Sequence, residues 1–258
     1  MYLRADIAHA WQGLDPFVQA FALTGDVLRE MPGRRTLRVR IGTGSYVLKL
    51  HFGVGGAEIL KNLVAGRAPV LGARNEYAAV TRLGEAGVPS MRVAAFGEQG
   101  GNPARRRSFV LLDDIAHDES LEDVARRWAR APAPVAQRRA TIAAVAMIVR
   151  GMHAAGVNHR DCYLCHFLCA HEGGLRLIDL HRAGIRAQVP LRWRMKDLAQ
   201  LWFSAMDAGL APRDRLRFVR DYSGGRLPRH AQAWAMWRKV ERDAHVLHEK
   251  GRRLGIVS

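Results

Sequence analysis

The feature that most constrains this chain is a polar, cysteine-containing run between residues 159 and 179. It opens with the letters HRD, closes with ID, and its pattern predicts a loop, a strand, a turn at Gly173 and Gly174, and a second strand. Because a hairpin folds back on itself, we expect Asp179 to return beside Asp161 and His166. Two carboxylates that are distant in sequence are thereby predicted to share one site.

Paired carboxylates suit phosphoryl transfer, because one accepts the proton of an attacking hydroxyl while the other holds the magnesium ion that neutralises the phosphates. Asp161 is the candidate catalytic base and Asp179 the candidate Mg2+ ligand. Upstream, Lys49 lies in a predicted strand and Glu76 on a predicted helix, the pattern of an ion pair that holds a lysine against the phosphates of ATP. The order of these residues predicts an ATP-dependent kinase.

Hydrophobic patterning predicts an α+β chain that is mostly sheet before a boundary near Asp113 and mainly helical after it. Together with the order of the four charged residues, this pattern predicts a protein-kinase-like, two-lobed fold. Residues 1–112 form the predicted N-lobe, with an N-terminal helix, an antiparallel sheet and one ion-pair helix, and residues 113–258 form the mainly helical C-lobe with the catalytic hairpin. Strands are predicted near residue 27 and at 36–41, 46–50, 91–96 and 108–112, and helices from 17 and at 75–86, 121–128, 135–155, 196–208, 213–222 and 228–251.

The charge balance limits the partners of the chain. Its 40 Lys and Arg residues against 24 Asp and Glu residues give a net charge of +16, which favours nucleic acid, acidic proteins, anionic lipid or phosphorylated glycans. The longest uncharged apolar run, from Ala140 to Val149, is too short to span a bilayer. The N-terminus lacks the order of a secretory signal, so we expect a cytoplasmic protein.

The sequence resembles the protein-kinase-like superfamily and, more closely, the lipopolysaccharide core heptose(I) kinases of Gram-negative bacteria. The resemblance covers nearly the whole chain, and it is carried by runs at residues 34–37, 46–49, 61–63, 69–73, 152–163, 178–182 and 192–194. It implies transfer of the ATP γ-phosphate to a hydroxyl of the first heptose of the inner-core lipopolysaccharide. It also implies a peripheral location at the inner face of the inner membrane, in contact with anionic lipid.

Two departures from the general protein-kinase pattern concern the catalytic loop and the phosphate loop. His166 stands where an asparagine is usual, and because magnesium prefers oxygen ligands, it is predicted to bind the metal through water, to orient Asp161 or to favour manganese. The usual glycine-rich loop is missing, and we expect Arg34 and Arg35 to contact the phosphates in its place. The adenine is expected near Leu111, Asp113 and Ile115, which complete the candidate ATP-binding set.

The segment after Asp179 contains no Ser, Thr or Tyr before Phe203, so phosphorylation within it cannot switch the enzyme. It is instead basic, and Arg182, Arg192 and Arg194 are the candidate substrate-binding residues. We expect them to bind an anionic acceptor, such as one that carries acidic sugars and lipid phosphates.

Other interpretations of the same residues remain open. A protein kinase acting on Ser, Thr or Tyr would share the motifs, and a non-catalytic basic binding module would share the charge; an acidic protein is a further candidate partner, and no specific nucleic acid is expected. The CxxCH spacing that begins at Cys162 also fits haem attachment or a metal site, although buried thiols beneath the loop are favoured. His159 and Asp197 are interpreted as structural supports, and Gly53 to Gly72 is given no role.

Overall fold

The computed structural model describes residues 1–53, 72–102 and 104–255, which form two compact units. The N-terminal unit comprises the described residues of Met1–Gly84, Met91–Ile115 and Asp179–Arg182. The C-terminal unit comprises those of Glu85–Ser90, Ala116–Ile178 and Ala183–Ser258. The division into lobes at residues 112 and 113 stays a prediction. Residues 54–71, within the Gly53 to Gly72 segment that was given no role, lie outside the described residues.

The N-terminal unit is built on an antiparallel sheet, which among its described residues has six strands in the order β1-β5-β6-β4-β3-β2. Its elements in chain order are β1 (Tyr2–Leu3), α1 (Ala5–Ala10), α2 (Pro16–Ala22), β2 (Asp26–Met31), β3 (Arg34–Ile41), β4 (Gly44–His51), α3 (Arg74–Glu85), β5 (Val93–Gln99) and β6 (Arg107–Asp113).

The two N-terminal helices cover one face of this sheet. The Asp15 carboxylate caps α2 by accepting hydrogen bonds from the backbone N–H groups of Phe17 at 2.7 Å and Val18 at 3.2 Å. Ile7 and Phe17 are buried in the same core as Phe109 of β6. Only α2 was predicted, because α1 has six residues with Ile7 as its one buried side chain, which is too short for a periodic signal.

Helix α3 presents a buried face and an exposed face, as its amphipathic pattern predicts. Ala79, Val80 and Leu83 are almost fully buried, and the helix spans Arg74–Glu85 against a prediction of residues 75–86. Glu76 is buried on the same helix, which removes it from the solvated face where a lone glutamate would usually lie.

The C-terminal unit is mainly helical. Its elements in chain order are β7 (His117–Ser120), α4 (Leu121–Arg130), α5 (Val135–Ala154), β8 (Val157–Asn158), β9 (Phe167–Ala170), β10 (Leu175–Leu177), β11 (Gly184–Ile185), α6 (Leu191–Ala205), α7 (Pro212–Tyr222) and α8 (Ala231–Arg253), with short 3-10 turns at Leu164–His166 in this unit and at Leu180–Arg182 in the other. Ser120 and Asp123 form the predicted capping box at the start of α4.

The prediction for α6 was wrong at both ends. The helix begins at Leu191 after the Pro190 N-cap and ends at Ala205, whereas residues 196–208 were predicted. The start was missed because the first turn is rich in Arg and Trp and so does not show the apolar period of a helix. The end was missed because Gly209, which was interpreted as the stop signal, lies beyond the last helical residue. Arg192 and Arg194 therefore have helical geometry, a point that matters for the site.

No described helix is both long enough and apolar enough to cross a membrane.

Candidate active-site residues

Lys49, Glu76 and Asp179 form one charged cluster in the N-terminal unit. The Lys49 ammonium donates to a Glu76 carboxylate oxygen at 2.7 Å and to Asp179 Oδ1 at 2.8 Å. Strand alternation explains the placement, because Leu48 and Leu50 turn into the core shared with α1 and α2 while Lys49 points to the opposite face. The predicted Lys49–Glu76 ion pair is present, and Lys49 binds a second carboxylate.

Burial and charge act against each other in this cluster. Burial alone lowers the pKa of Lys49, but the neighbouring Glu76 and Asp179 carboxylates raise it above its usual value. Burial likewise raises the pKa of Asp179, but the hydrogen bond from His181 and the charge of Lys49 hold it far below its usual value. Lys49 and Asp179 are therefore both ionised at neutral pH.

His181 supports Asp179 in a way that sequence reasoning missed. The imidazole Nδ1–H donates to Asp179 Oδ1 at 2.8 Å, and the Asn75 side-chain amide on α3 donates to the His181 carbonyl at 2.9 Å. Asp179 itself has φ of 59°, a left-handed conformation that is uncommon outside glycine. Asp179 is followed in the sequence by Leu180 and His181, where protein kinases usually have Phe and Gly, and this difference was the only sequence signal for His181.

The candidate adenine-binding residues lie at the end of β6 in the same unit. Leu111 is fully buried and pairs with Leu48, so its side chain faces the core with α1 and α2 and only its backbone can contact a base on the Lys49 face. The Asp113 carboxylate accepts a hydrogen bond from Arg4 at 2.8 Å. Ile115 is partly exposed just beyond the strand.

The candidate phosphate-contacting arginines lie at the β2–β3 turn. Gly33 has φ of 75°, which lets the chain reverse there, and Arg34 pairs with His51 across the β3–β4 ladder. The Arg35 guanidinium is held by Glu30, with Nε at 2.9 Å from a carboxylate oxygen. Arg34 is the partly buried member of the pair and Arg35 the exposed one.

In the C-terminal unit, the predicted hairpin is formed by β9 and β10. Leu177 lies opposite Phe167, and the Ile178 N–H donates to the His166 carbonyl at 2.9 Å. Ile178, the residue that follows the second strand and directly precedes Asp179, therefore lies beside His166.

The loop that carries Asp161 is braced from below by Asp197 of α6. The buried Asp197 carboxylate accepts hydrogen bonds from the backbone N–H groups of His159 at 2.7 Å and Arg160 at 2.9 Å, the contacts of a structural support. Arg160 is left-handed with φ of 72°. Such a conformation persists when its surroundings determine it, and these amide contacts supply that constraint.

A relay of side chains reaches Asp197 from two other helices. Arg194 Nε–H lies 3.1 Å from Tyr222 Oη, Tyr222 Oη lies 2.8 Å from His153 Nδ1, and His153 Nε2 lies 3.2 Å from the Asp197 carboxylate. With a neutral imidazole, one direction satisfies every donor: Arg194 donates to Tyr222, Tyr222 to His153, and His153 to Asp197. Sequence reasoning missed His153 and Tyr222 and assigned Arg194 to the substrate.

His166 also supports the loop. Its Nδ1 lies 2.7 Å from the Asp161 backbone carbonyl, which can only accept, so Nδ1 carries a proton and donates to it. The ring stacks on buried His159 at a centroid distance of 5.2 Å. This geometry agrees with the predicted orienting role, while metal binding by His166 stays a prediction.

The three cysteines are free thiols. Cys162 is buried, and burial raises the pKa of its thiol well above the usual value, which makes it unreactive. Across the described part of the chain, no group of three or more His, Cys, Asp or Glu residues is arranged to hold a metal ion.

The candidate substrate-binding arginines are divided between the two units. Arg182 lies in the N-terminal unit, whereas Arg192 and Arg194 lie in the first turn of α6 in the C-terminal unit. Arg192 is exposed, but Arg194 is partly buried against Tyr222.

A strand lysine held by a helix glutamate on an antiparallel sheet, together with an aspartate loop braced by a buried helical aspartate, defines the protein-kinase-like class of phosphotransferases. The predicted fold is thereby confirmed. The family model for the lipopolysaccharide kinase (Kdo/WaaP) family matches residues 18–222. The chain belongs to this family, as its sequence motifs indicated.

Named relatives agree with that membership. The chain is 45% identical over 99% of its length to lipopolysaccharide core heptose(I) kinase WaaP of Pseudomonas aeruginosa, of which 98% is covered. It is 48% identical over 86% of its length to the protein of the same name from Escherichia coli strain K12, of which 86% is covered. A solved structure of WaaP in complex with acyl carrier protein matches with a TM-score of 0.77 and 42% identity, covering 94% of this chain and 98% of that one.

Proposed function

We propose that this protein is a lipopolysaccharide core heptose(I) kinase, which transfers the γ-phosphate of ATP to a hydroxyl of the first heptose of the inner core. The observation that carries the proposal is the Lys49–Glu76–Asp179 cluster, in a chain whose relatives bear that name along nearly its full length. A non-catalytic binding module would have no need of a buried cluster of a lysine and two carboxyl groups.

Each residue of the candidate site has a definite task. Lys49, held by Glu76, binds the ATP phosphates, and Asp161 accepts the proton of the sugar hydroxyl as it attacks. Arg34 and Arg35 contribute positive charge near the phosphates. The backbone of Leu111, Asp113 and Ile115 binds the adenine, and we propose that residues 1–112 and 113–258 act as the two lobes.

The Asp179 carboxylate suits magnesium, because it is ionised and supplies the oxygen ligand that this ion prefers. When bound, the metal neutralises charge on the transferred phosphate. His166 fixes the backbone of Asp161 through Nδ1, and we propose that its ring also acts on the metal through a water. Asp197, supported by the relay of Arg194, Tyr222 and His153, fixes the backbone of the loop that carries Asp161.

The decisive experiment follows label from ATP into three reactions, containing core lipopolysaccharide that lacks heptose phosphate, a generic protein acceptor, or no acceptor. We expect label in the glycan alone. Asp161→Asn should reduce the rate by about 10²- to 10⁴-fold while ATP binding is retained. Asp118→Asn is the matched control, since that side chain is 88% exposed on β7.

The remaining outcomes are equally informative. Label confined to protein would move the assignment to a protein kinase acting on Ser, Thr or Tyr. If no Asp161-dependent label forms in any reaction, the kinase proposal is wrong and a non-catalytic binding module takes its place.

We also propose two partners beyond the glycolipid. Contact with anionic lipid at the inner face of the inner membrane brings the enzyme to its acceptor, and an acidic protein of the acyl carrier type binds the basic surface. The net charge of +16 supports both partners, and a related chain was solved with acyl carrier protein. Titration calorimetry with acyl carrier protein at two salt concentrations tests the second partner, and binding that is absent at low salt would contradict it.

A further inference from the structure

One aromatic side chain of the C-terminal unit is surrounded by positive charge. Trp193 lies in the first turn of α6, and four cationic groups lie between 5.1 and 5.5 Å from its ring centroid. They belong to Arg160 of the catalytic loop, Arg186 after β11, and Arg192 and Lys196 of α6. We call these five residues the Trp193 cage.

The indole alone cannot stabilise this arrangement. An aromatic ring attracts a cation to its face, and it has two faces, so four cations cannot all gain this contact. Four like charges around one ring also repel one another, and that repulsion grows as water is excluded. Negative charge from outside the cage is therefore needed to offset this repulsion.

The described chain does not supply that charge to three of the four cations. Arg186 donates to the neutral side-chain oxygen of Asn158 at 2.7 Å, and within the part of the chain that the structure describes, neither it nor Arg192 nor Lys196 forms an ion pair with a carboxylate. The sequence from residue 180 to residue 196 contains no Asp or Glu. Arg192 and Lys196 are exposed, so an anion has access to them.

Two further features of the cage point to an acceptor group from outside the described chain. The Trp193 Nε1–H is buried and has no hydrogen-bond partner among the described residues. Helix α6 has 15 residues, and its Pro190 N-cap offers no side-chain acceptor, so the positive end of the helix dipole faces the same turn.

We propose that the Trp193 cage is a subsite for an anionic substituent of the acceptor glycolipid, either a phosphomonoester or a sugar carboxylate close to the phosphorylated heptose. This inference rests on the proposed function and assigns residues to it. The acceptor anion neutralises Arg186, Arg192 and Lys196, and through Arg160 it contacts the loop that carries Asp161. Arg194 lies outside the cage, since its guanidinium is committed to Tyr222.

The test compares the kinetics of Arg192→Gln and Lys196→Gln on three acceptors: intact core lipopolysaccharide, the same glycolipid after phosphatase treatment, and one with its sugar carboxylates reduced to alcohols. On the intact acceptor, each variant should raise the acceptor KM about tenfold, with kcat within about twofold and the KM for ATP unchanged. Lys196→Arg should retain the wild-type KM. Arg139→Gln, an exposed site on α5, controls for loss of one charge.

If the KM difference between wild type and variant disappears on the phosphatase-treated acceptor, the anion is a phosphate. If it disappears on the acceptor with reduced carboxylates, the anion is a carboxylate. A KM increase that is equal on all three acceptors, or no larger than that of Arg139→Gln, would overturn the proposal.

A binding measurement separates this inference from the proposed function. Inorganic phosphate should alter the tryptophan fluorescence of the wild type, and that change should be lost in Trp193→Phe and weakened in Arg186→Gln. If no glycan is labelled but phosphate still acts through Trp193, the proposed acceptor is wrong and the anion site stands. If phosphate has the same effect on wild type and Trp193→Phe, the cage does not bind anions.

Discussion

At the scale of single residues, Lys49 and Glu76 form a buried ion pair in the N-terminal unit. Both side chains are at least nine-tenths buried, and a buried charge is tolerated only when it is paired. The second carboxylate, Asp179, shares the same ammonium. Removal of one partner therefore weakens the cluster without leaving Lys49 isolated.

We predict that Glu76→Gln lowers the free energy of unfolding by about 3 kcal/mol, the lower end of the range for breaking a buried pair, because Lys49 keeps Asp179. Activity should fall as well, since the lysine loses one of its two anchors. Urea unfolding measures the first effect. Glu85→Gln, exposed at the end of the same helix, should change stability little.

His51 makes stability depend on pH. It is buried beside Lys49, and burial, together with the charges of Arg34, Lys49 and His181, lowers its pKa to about 3. The folded protein therefore keeps His51 neutral while the unfolded chain protonates it below about pH 6.5. A pKa that is lower in the folded state gives stability that is present at neutral pH and lost as the pH falls.

We predict that the contribution of His51 decreases by about 1.4 kcal/mol between pH 7.5 and pH 5.5. His51→Gln should show a correspondingly flatter dependence of unfolding free energy on pH. His9→Gln, at an exposed position of α1, controls for the loss of a histidine. Parallel pH profiles for wild type and His51→Gln would contradict the assignment.

At the scale of elements, the pairing of β8 with β11 depends on one glycine. Gly156 precedes β8 with φ of 79°, and a Cβ at this position would lie 2.0 Å from the Arg186 carbonyl oxygen. The same carbonyl belongs to a residue of the Trp193 cage, and the Arg186 N–H donates to the Gly156 carbonyl at 2.9 Å. A side chain here would separate the two strands.

We predict that Gly156→Ala destabilises the protein by about 1–3 kcal/mol, from the left-handed backbone and the close carbonyl together. Thermal unfolding provides the measurement. Gly84→Ala is the matched control, because Gly84 is helical with nothing within 4 Å of its added Cβ, and that change should be neutral or stabilising by up to about 1 kcal/mol. Equal effects of the two substitutions would refute this account.

The elements that were predictable from sequence are those that carry their own local signal. The β3–β4 hairpin follows from alternation around a glycine turn, and α4 from the Ser120 and Asp123 capping box. Helix α1 is too short to show a period, and the start of α6 is hidden by its basic first turn. The site divides in the same way: Lys49, Glu76, Asp161 and Asp179 are marked by their order along the chain.

The supporting residues could not be predicted, because their contacts depend on tertiary packing. His153 lies 44 residues from Asp197 and 69 residues from Tyr222 in sequence, and no local pattern links the three. The contact of Arg194 with Tyr222 could not be predicted for the same reason. Helical geometry in the first turn of α6 turns Arg192 and Arg194 to different neighbours.

At the scale of the whole molecule, the dominant property is positive charge. A protein of 258 residues with a net charge of +16 has a field that attracts anionic surfaces over the Debye length of about 8–10 Å at physiological salt. A heptose(I) kinase has a glycolipid acceptor, so this field favours encounter with the surface in which the acceptor is embedded.

We predict that the protein sediments with vesicles containing anionic lipid, with about 1 kcal/mol of attraction for each basic residue near the surface. Binding should weaken as salt is raised and be absent on vesicles of zwitterionic lipid alone. If sedimentation does not depend on the charge of the lipid, the positive charge of the protein serves another partner. Labelling assays on vesicle-embedded acceptor then measure whether the attraction raises the rate.

The double anchoring of Lys49 has a thermodynamic consequence. Its ammonium lies 2.8 Å from Asp179 Oδ1, so a divalent cation held by this carboxylate would weaken the contact and make Lys49 more available to a nucleotide. Nucleotide and metal binding would then be linked equilibria, and by reciprocity each would tighten the other by the same factor. Such cooperativity would make the enzyme respond to the metal–nucleotide complex as a single species instead of to either component alone.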